Sequence, residues 1–148
     1  MPKYLKVFSD YIWPWCYFIT VSIEKSKVAF DLEIKWIAYP LHTDTPQEGI
    51  SLEELHAGRN IDPTKAMARL KKAADAVGLP LGERKKSCNS RQAQELGKWA
   101  ETKDKGDQFH NAVFRAYFVD GVNIAKTDEL MKLVKQVGLP EKEARECL

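Results

Sequence analysis

Hydrophobic and polar positions near the N-terminus follow a strand, helix, strand order. Residues 4–9 are rich in side chains that favour extended backbone, which predicts a first strand. Pro14 suits the first position of a helix, so a helix is predicted over residues 15 to about 27. Alternating polar and apolar residues then predict a second strand over residues 31–39, which a proline ends. Together these elements predict a βαβ unit with parallel strands and a right-handed crossover.

From Ser51 onward the pattern predicts only helices. Ser51 and Glu54 form a capping box in front of a short helix, and Asp62 followed by Pro63 marks the start of a longer one. Two helices end in the same tetrapeptide, Val-Gly-Leu-Pro, in which glycine can take the left-handed C′ position and proline prevents continuation. Apolar spacing predicts further helices after Ser90, over residues 109–119, after Thr127 and from Pro140. The sequence therefore predicts a mostly helical α/β chain.

Composition and charge argue against several classes of function. The chain has 148 residues, of which 44% are hydrophobic, and this suffices for one globular domain with a core. Its formal charge is +2 and its basic residues are dispersed, which gives no support for nucleic-acid binding. The longest apolar run, residues 11–23, contains a proline and is flanked by acidic residues, so neither a membrane span nor a signal peptide is predicted.

The cysteines and histidines are not spaced as a disulfide framework or a metal site. Cys16, Cys88 and Cys147 are odd in number and far apart, which is typical of a reducing compartment, so we expect a cytoplasmic location. The histidines lack metal-ligand spacing with one another or with a cysteine, and each is interpreted as an ordinary surface or core residue. They are His42, His56 and His110. No metal and no tightly bound cofactor are predicted.

The segment DYIWPWCYF, residues 10–18, carries the most suggestive chemistry of the chain. It joins the first strand to the helix, and ligands of α/β proteins bind at this edge of a sheet. Cysteine in place of Trp13 would give Cys-Pro-Trp-Cys, a C-x-x-C pair of the kind that exchanges disulfides. The segment instead holds one thiol, that of Cys16, in the first turn of the predicted helix.

This segment resembles the active-site start of the DsbA-like thioredoxin superfamily. The similar branch is the cytoplasmic one, which includes the 2-hydroxychromene-2-carboxylate isomerases and the kappa-class glutathione transferases. Further similar blocks follow in the family's order: Tyr39-Pro40-Leu41, Thr45-Pro46-Gln47-Glu48-Gly49, Cys88-Asn89-Ser90-Arg91-Gln92-Ala93, Phe114-Arg115-Ala116-Tyr117-Phe118 with Gly121, and the Val-Gly-Leu-Pro stop. The resemblance implies a thioredoxin-like βαβ part over residues 1–50 and an inserted helical domain over residues 51–148.

Two departures from the family pattern affect these expectations. Trp13 stands where disulfide-exchanging members have the attacking cysteine and where the isomerases and transferases have a serine. Family members also continue into a β-hairpin with a proline loop and a closing helix, which this chain lacks. Open strand edges and uncovered apolar surface would then remain, so we expect a homodimer, with strand exchange as one form of it. A truncated form of a longer protein is the competing explanation.

Cys16 has three interpretations. It is a sheltered residue left over from the family motif, a working thiol in monothiol or glutathione-linked exchange, or, as the weakest alternative, a metal ligand. Trp13 offers neither a nucleophile nor a proton to a base. Together with Trp15 it forms either a core or subunit contact or a platform for a substrate.

The resemblance implies three candidate functions. The first is a thiol–disulfide oxidoreductase relative with an altered site formed by Trp13, Pro14 and Cys16. The second is a glutathione-dependent isomerase or transferase acting on a small aromatic compound, and the third is a non-catalytic binding or oligomerisation module. A thiol substrate or a small aromatic molecule is the expected partner, with glutathione as cosubstrate. The candidate ligand contacts are Trp15, His42, Asn89 and Arg91. Each of them also has an ordinary structural explanation.

Overall fold

The computed structural model describes Met1 and residues 3–148. In chain order its elements are β1 (Lys3–Ser9), α1 (Pro14–Phe30), β2 (Leu32–Ala38), β3 (Ile50–Ser51), α2 (Leu52–Leu55), α3 (Pro63–Val77), β4 (Lys86–Ser87), α4 (Arg91–Glu101), α5 (Gly106–Phe118), α6 (Thr127–Gln136) and α7 (Glu141–Cys147). The predicted mostly helical α/β architecture is confirmed. None of the helices in the described part of the chain combines the length and the apolar composition that a membrane span requires.

The predicted βαβ unit is formed by β1, α1 and β2. The two strands pair in parallel over all seven residues of each. Pro14 occupies the first turn of α1, as predicted, and the helix ends at Phe30, three residues later than expected. Asp31 follows with a left-handed backbone (φ 50°) and donates its N–H to the carbonyl of Lys27, which satisfies one of the last helical carbonyls.

The region after residue 50 contains strands as well as helices. Ile50 pairs with Ser87 and Ser51 with Lys86 in an antiparallel ladder. The prediction of helices alone was wrong at these positions, because strands of two residues are too short to show alternation. The predicted capping box is present: Ser51 Oγ accepts the N–H of Glu54 at 3.0 Å, and the Glu54 carboxylate accepts the N–H of Ser51 at 2.8 Å.

The other helix boundaries follow the predicted start and stop residues. Asp62 caps α3, and the glycines of the two Val-Gly-Leu-Pro stops, Gly78 and Gly138, have φ angles of 72° and 79°. A left-handed backbone of this kind costs little only for glycine. The helix α5 begins at Gly106, earlier than the predicted residue 109.

A cluster of aromatic rings joins α1 to α5. Tyr17 stacks on Phe118 with 5.0 Å between ring centroids, and on Phe114 with 5.9 Å. All three residues are buried, and the Tyr17 hydroxyl donates to the carbonyl of Pro80 at 2.8 Å. These contacts fix the N-terminus of α1 against the helices that follow. The division into domains at residues 50 and 51 stays a prediction.

The outward face of the β1–β2 sheet exposes aromatic side chains. Tyr4 and Phe8 point to the same side of β1, are 52% and 62% exposed, and are joined by Tyr39, which is 58% exposed. The Phe8 and Tyr39 rings meet edge to face at 6.3 Å. The expected uncovered apolar surface is therefore present, and homodimerisation through it stays a prediction.

Candidate functional site

The loop of residues 10–13 lies at the carboxyl end of β1, beside the segment that follows β2. Asp10 is 1% exposed, and its carboxylate joins the two segments. Oδ2 accepts the N–H of Leu41 at 2.7 Å, and Oδ1 accepts that of Ile12 at a longer 3.4 Å. Because a buried carboxylate is stable only when it is hydrogen-bonded, these contacts fix the backbone on both sides of the loop.

Trp13 occupies the N-cap position of α1 with its side chain exposed. Trp13 has an extended backbone (φ −96°, ψ 119°) and is 46% exposed. Its indole offers no hydrogen-bond acceptor for capping the helix. The Trp13 carbonyl accepts the N–H of Cys16 at 3.0 Å, and Pro14 follows in the first helical turn. A helix N-terminus favours a thiolate over a thiol. A thiol at position 13 would therefore be activated by the helix, but the Trp13 side chain carries no thiol.

The Cys16 thiol is buried in the first turn of α1. The residue is 6% exposed, and burial raises the pKa of its thiol. The backbone N–H of Asp10 and the hydroxyl of Ser9 act in the opposite direction without cancelling this effect. Since the thiolate is the nucleophile, only a small fraction of Cys16 is reactive at neutral pH. This environment favours the interpretation of Cys16 as a sheltered residue left over from the family motif. A catalytic role for Cys16 stays a prediction.

The other two cysteines lie in different surroundings. Cys88 is buried at the end of β4, where burial raises the pKa of its thiol and the backbone of Ile124 acts against that effect. Cys147 is exposed in α7, and all three cysteines are free thiols. Within Met1 and residues 3–148, no group of three or more His, Cys, Asp and Glu side chains is placed to hold a metal ion.

The four candidate ligand contacts lie in three separate places. Trp15 is 38% exposed, and the guanidinium of Arg69 lies 5.4 Å from the centre of its ring. His42 lines a shallow groove of about 230 Å³. Asn89 and Arg91 line another groove, of about 360 Å³. Of the four residues, only Asn89 and Arg91 line the same groove, and the role of all four in binding a ligand stays a prediction.

Asn89 has a clear structural role. Its Nδ2 donates to the carbonyls of Thr45 at 2.8 Å and Thr43 at 3.3 Å, and its Oδ1 accepts the N–H of Arg91 at 2.9 Å. Asn89 thus joins the start of α4 to the loop that carries His42. The Arg91 side chain is 80% exposed and pairs with Glu95 in the next turn at 3.1 Å.

Arg84 and Tyr11 contribute to the site without having been singled out from the sequence. Arg84 Nη1 donates to the carbonyl of Ile12 at 3.3 Å and to the hydroxyl of Tyr117 at 3.1 Å. Tyr11 is buried, with its hydroxyl 2.5 Å from Nδ1 of His110. These contacts join residues 72 and 99 positions apart, so local spacing gave no signal for them. One available signal was a histidine inside the apolar pattern of α5.

Comparison with known proteins shows relatives along the whole chain. The chain is 27% identical to the uncharacterized protein YwbO of Bacillus subtilis (strain 168) over 144 residues, which is 94% of this chain and 68% of YwbO. SCO1869 of Streptomyces coelicolor, named as a probable DsbA oxidoreductase, superposes with a TM-score of 0.86 and 22% identity over 97% of this chain and 66% of that one.

Two further solved structures share the fold at lower identity. The cytosolic disulfide reductase DsbM of Pseudomonas aeruginosa has a TM-score of 0.74 and 21% identity, over 97% of this chain and 68% of that one. A 2-hydroxychromene-2-carboxylate isomerase has a TM-score of 0.70 and 16% identity, over 97% and 70%. The chain spans about two thirds of the length of YwbO and SCO1869, at 68% and 66%.

These superpositions confirm the thioredoxin-like fold expected from the resemblance. The family model extends the agreement from the first strand to the last residue, so it covers the site loop as well as the helices that follow. Because the model of the DSBA-like thioredoxin domain matches residues 4–148, the chain belongs to that family.

Proposed function

We propose that this chain is a thiol–disulfide oxidoreductase relative with an altered site, in which dithiol exchange is lost and Cys16 is the thiol that remains of the C-x-x-C pair. The observation that carries the proposal is the contrast between two positions of α1. Trp13 is 46% exposed at the helix N-terminus, where an attacking thiol would be activated, whereas Cys16 is 6% exposed behind it. The chain keeps the place of the attacking thiol without the thiol itself.

A dithiol cycle needs two sulfurs at this site. The first thiolate attacks a substrate disulfide, one substrate sulfur leaves, and the second thiol then displaces the other substrate sulfur as the protein disulfide forms. Because Trp13 occupies the first position, no mixed disulfide with the substrate forms there, and Cys16 has no such disulfide to resolve. The parent chain is therefore expected to be inactive as a dithiol reductant.

Cys16 retains a single-thiol reaction with glutathione. The Cys16 thiolate attacks one sulfur of glutathione disulfide, the Cys16–glutathione bond forms as the glutathione disulfide bond breaks, and one glutathione thiolate leaves. Burial raises the pKa of Cys16, so this reaction is expected to be slow. Glutathione is thus the proposed cosubstrate. The proposal includes no tightly bound cofactor and places the protein in a reducing cytoplasm. A structure of DsbM with glutathione, at a TM-score of 0.72 to this chain, supports the choice of glutathione.

The decisive experiment restores the missing thiol. Insulin reduction is measured for the parent and for Trp13→Cys, both with Cys88 and Cys147 replaced by serine so that no other thiol contributes. We expect no turnover by the parent and clear turnover by Trp13→Cys. A Trp13→Cys protein that is folded but inactive would contradict the proposal, as would dithiol turnover by the parent.

Ile19→Cys is the matched control. Ile19 is 48% exposed, and cysteine there would stand three residues after Cys16, so the variant has the same C-x-x-C spacing and similar exposure but sits inside α1. Its thiol lacks the activation of the helix N-terminus, so we expect little or no insulin reduction. Equal activity of Ile19→Cys and Trp13→Cys would show that the helix N-terminus is not the cause of thiol activation.

A second candidate function is glutathione-dependent isomerisation or transfer on a small aromatic compound. Trp13 and Trp15 are both partly exposed and offer aromatic surface beside the site, and an isomerase shares the fold. Titrating the parent with reduced glutathione in a calorimeter, and separately testing by mass spectrometry whether it forms a mixed disulfide with glutathione disulfide, separates the candidates. Binding of reduced glutathione without formation of the mixed disulfide would favour the second candidate. Neither exchange nor binding would leave a non-catalytic binding module.

A further inference from the structure

Tyr11 joins the site loop to a buried polar cluster that the proposed thiol chemistry does not use. Tyr11 is 1% exposed and His110 is 4% exposed, and the Tyr11 hydroxyl lies 2.5 Å from His110 Nδ1. On the other side of the imidazole, Nε2 lies 3.5 Å from Oε1 of Glu101. These three residues are called the Tyr11–His110–Glu101 triad below.

The direction of the hydrogen bonds in the triad follows from the charge of Glu101. Burial opposes ionisation of Glu101, but contacts with His110 and Lys98 outweigh it and lower the pKa of the carboxyl. An ionised carboxylate beside Nε2 favours the tautomer with its proton on that nitrogen, so Nδ1 accepts the Tyr11 hydroxyl. Glu101 Oε1 and His110 Nε2 have no hydrogen-bond partner at shorter range in the described part of the chain, so each is the polar group available to the other.

Neighbouring elements hold the triad in place. The Trp36 ring lies 4.7 Å from the His110 ring, and its Nε1 donates to Asp107 at 3.2 Å. Lys98 Nζ donates to Oε2 of Glu101 at 2.7 Å and to the carbonyl of Trp36 at 3.0 Å. The imidazole is therefore fixed between β2, α4 and α5 and has little freedom to turn away from Tyr11.

Gly97 provides an independent indication that the Tyr11 hydroxyl has a required position. Gly97 lies in the middle of α4, where glycine is about 1 kcal/mol less favourable than alanine. A Cβ at this position would overlap the Tyr11 hydroxyl. The helix thus has an unfavourable residue at the one point where the hydroxyl passes it to reach His110.

The loop held by Tyr11 is the loop that shelters Cys16. Tyr11 and Ile12 belong to the same buried hydrophobic cluster as Cys16, which is 6% exposed. The Asp10 carbonyl accepts the N–H of Trp13 at 3.2 Å, which closes the loop into a tight turn. A displacement of Tyr11 therefore moves the backbone that covers the sulfur.

We propose that the Tyr11–His110–Glu101 triad holds the site loop closed over Cys16, with His110 as a positioning residue that acts through Tyr11. Loss of the Tyr11–His110 hydrogen bond opens the loop locally and exposes the thiol, while the rest of the core stays folded. The proposal does not depend on the exchange chemistry above, because alkylation reports the accessibility of Cys16 even in a protein without redox activity.

The test compares the alkylation of two buried thiols in one molecule. In a Cys147→Ser background, the rates of iodoacetamide labelling at Cys16 and Cys88 are read by peptide mass spectrometry. Tyr11→Phe removes only the hydroxyl, and we expect labelling of Cys16 to become about tenfold faster, as for loss of one buried hydrogen bond, with Cys88 unchanged within about twofold. An unchanged rate at Cys16, or an equal rise at both thiols, would overturn the proposal.

Two substitutions of His110 separate positioning from packing. His110→Asn keeps an acceptor near the position of Nδ1, whereas His110→Leu fills space without one. We expect Cys16 labelling near the parent rate for His110→Asn and as fast as Tyr11→Phe for His110→Leu. The double variant Tyr11→Phe/His110→Leu should be no faster than either single variant, and multiplied effects would contradict a shared hydrogen bond. Should His110→Leu fail to fold, the Tyr11→Phe comparison still decides.

Discussion

Replacing Gly97 by alanine tests whether the Tyr11 hydroxyl is held against α4. A new Cβ would overlap the hydroxyl oxygen, while the next nearest atoms, Tyr11 Cζ and His110 Cε1, would lie at 3.5 Å, an ordinary contact distance. The obstacle to alanine is therefore one oxygen atom. Any destabilisation should depend on whether that oxygen is present.

The expected magnitude combines three effects. Alanine gains about 1 kcal/mol over glycine in a helix interior. Overpacking at a buried site costs about 1–3 kcal/mol, and a displaced hydroxyl that leaves His110 Nδ1 unpaired costs about 1–3 kcal/mol more. Because one displacement relieves part of the overlap, the two costs do not add in full, and Gly97→Ala should lower the free energy of unfolding by about 2 kcal/mol.

The sign should reverse when the hydroxyl is absent. In a Tyr11→Phe background the overlap disappears, so Gly97→Ala should raise the free energy of unfolding by up to about 1 kcal/mol through helix propensity alone. Urea unfolding followed by tryptophan fluorescence measures all four proteins of this cycle. Equal destabilisation by Gly97→Ala in both backgrounds would refute the reasoning, since the cause would then lie elsewhere in α4.

Two other predictions concern an ion-paired carboxylate and the exposed sheet face. Burial opposes ionisation of Asp107, but hydrogen bonds from Lys27 and Trp36 lower the pKa of its carboxyl, so its stabilising effect is present above the unfolded-state pKa and is lost as pH falls through the folded-state value. Asp107→Asn should therefore be about 1 kcal/mol less stable than the parent at pH 7, and urea unfolding near pH 3 should show a smaller difference. If the exposed face of β1 forms the expected homodimer, Phe8→Lys should give a monomer by sedimentation, whereas Val28→Lys, at an 87% exposed position of α1, should not. A dimer that persists in Phe8→Lys, or a parent that is monomeric at all concentrations, would contradict this assignment.

Local sequence patterns predicted the helices and the two longer strands, but they could not predict the long-range contacts within the site. Pro14 and the Val-Gly-Leu-Pro stops act through backbone geometry within a few residues, so the sequence alone placed them correctly. The partners of Tyr11 and Ile12 lie 99 and 72 residues away, and only the packing of α5 and the segment before β4 brings them close. The sequence predicts a ligand contact at Asn89 for a related reason: it shows a polar side chain but not the two loop carbonyls that this side chain binds.

The contacts that fix the site loop do not use the side chain of Trp13. Asp10 holds the loop through two backbone N–H groups, Arg84 binds the carbonyl of Ile12, and Tyr11 is bound by His110. Trp13 donates its backbone N–H to the Asp10 carbonyl and contributes its own carbonyl to the first turn of α1, and any residue other than proline can make both contacts in the same extended conformation. Trp13→Cys should therefore change the free energy of unfolding by no more than about 1 kcal/mol. Insulin reduction by that variant then reports the chemistry of the restored thiol and not a change of fold, and a larger loss of stability would show that the indole is part of the scaffold.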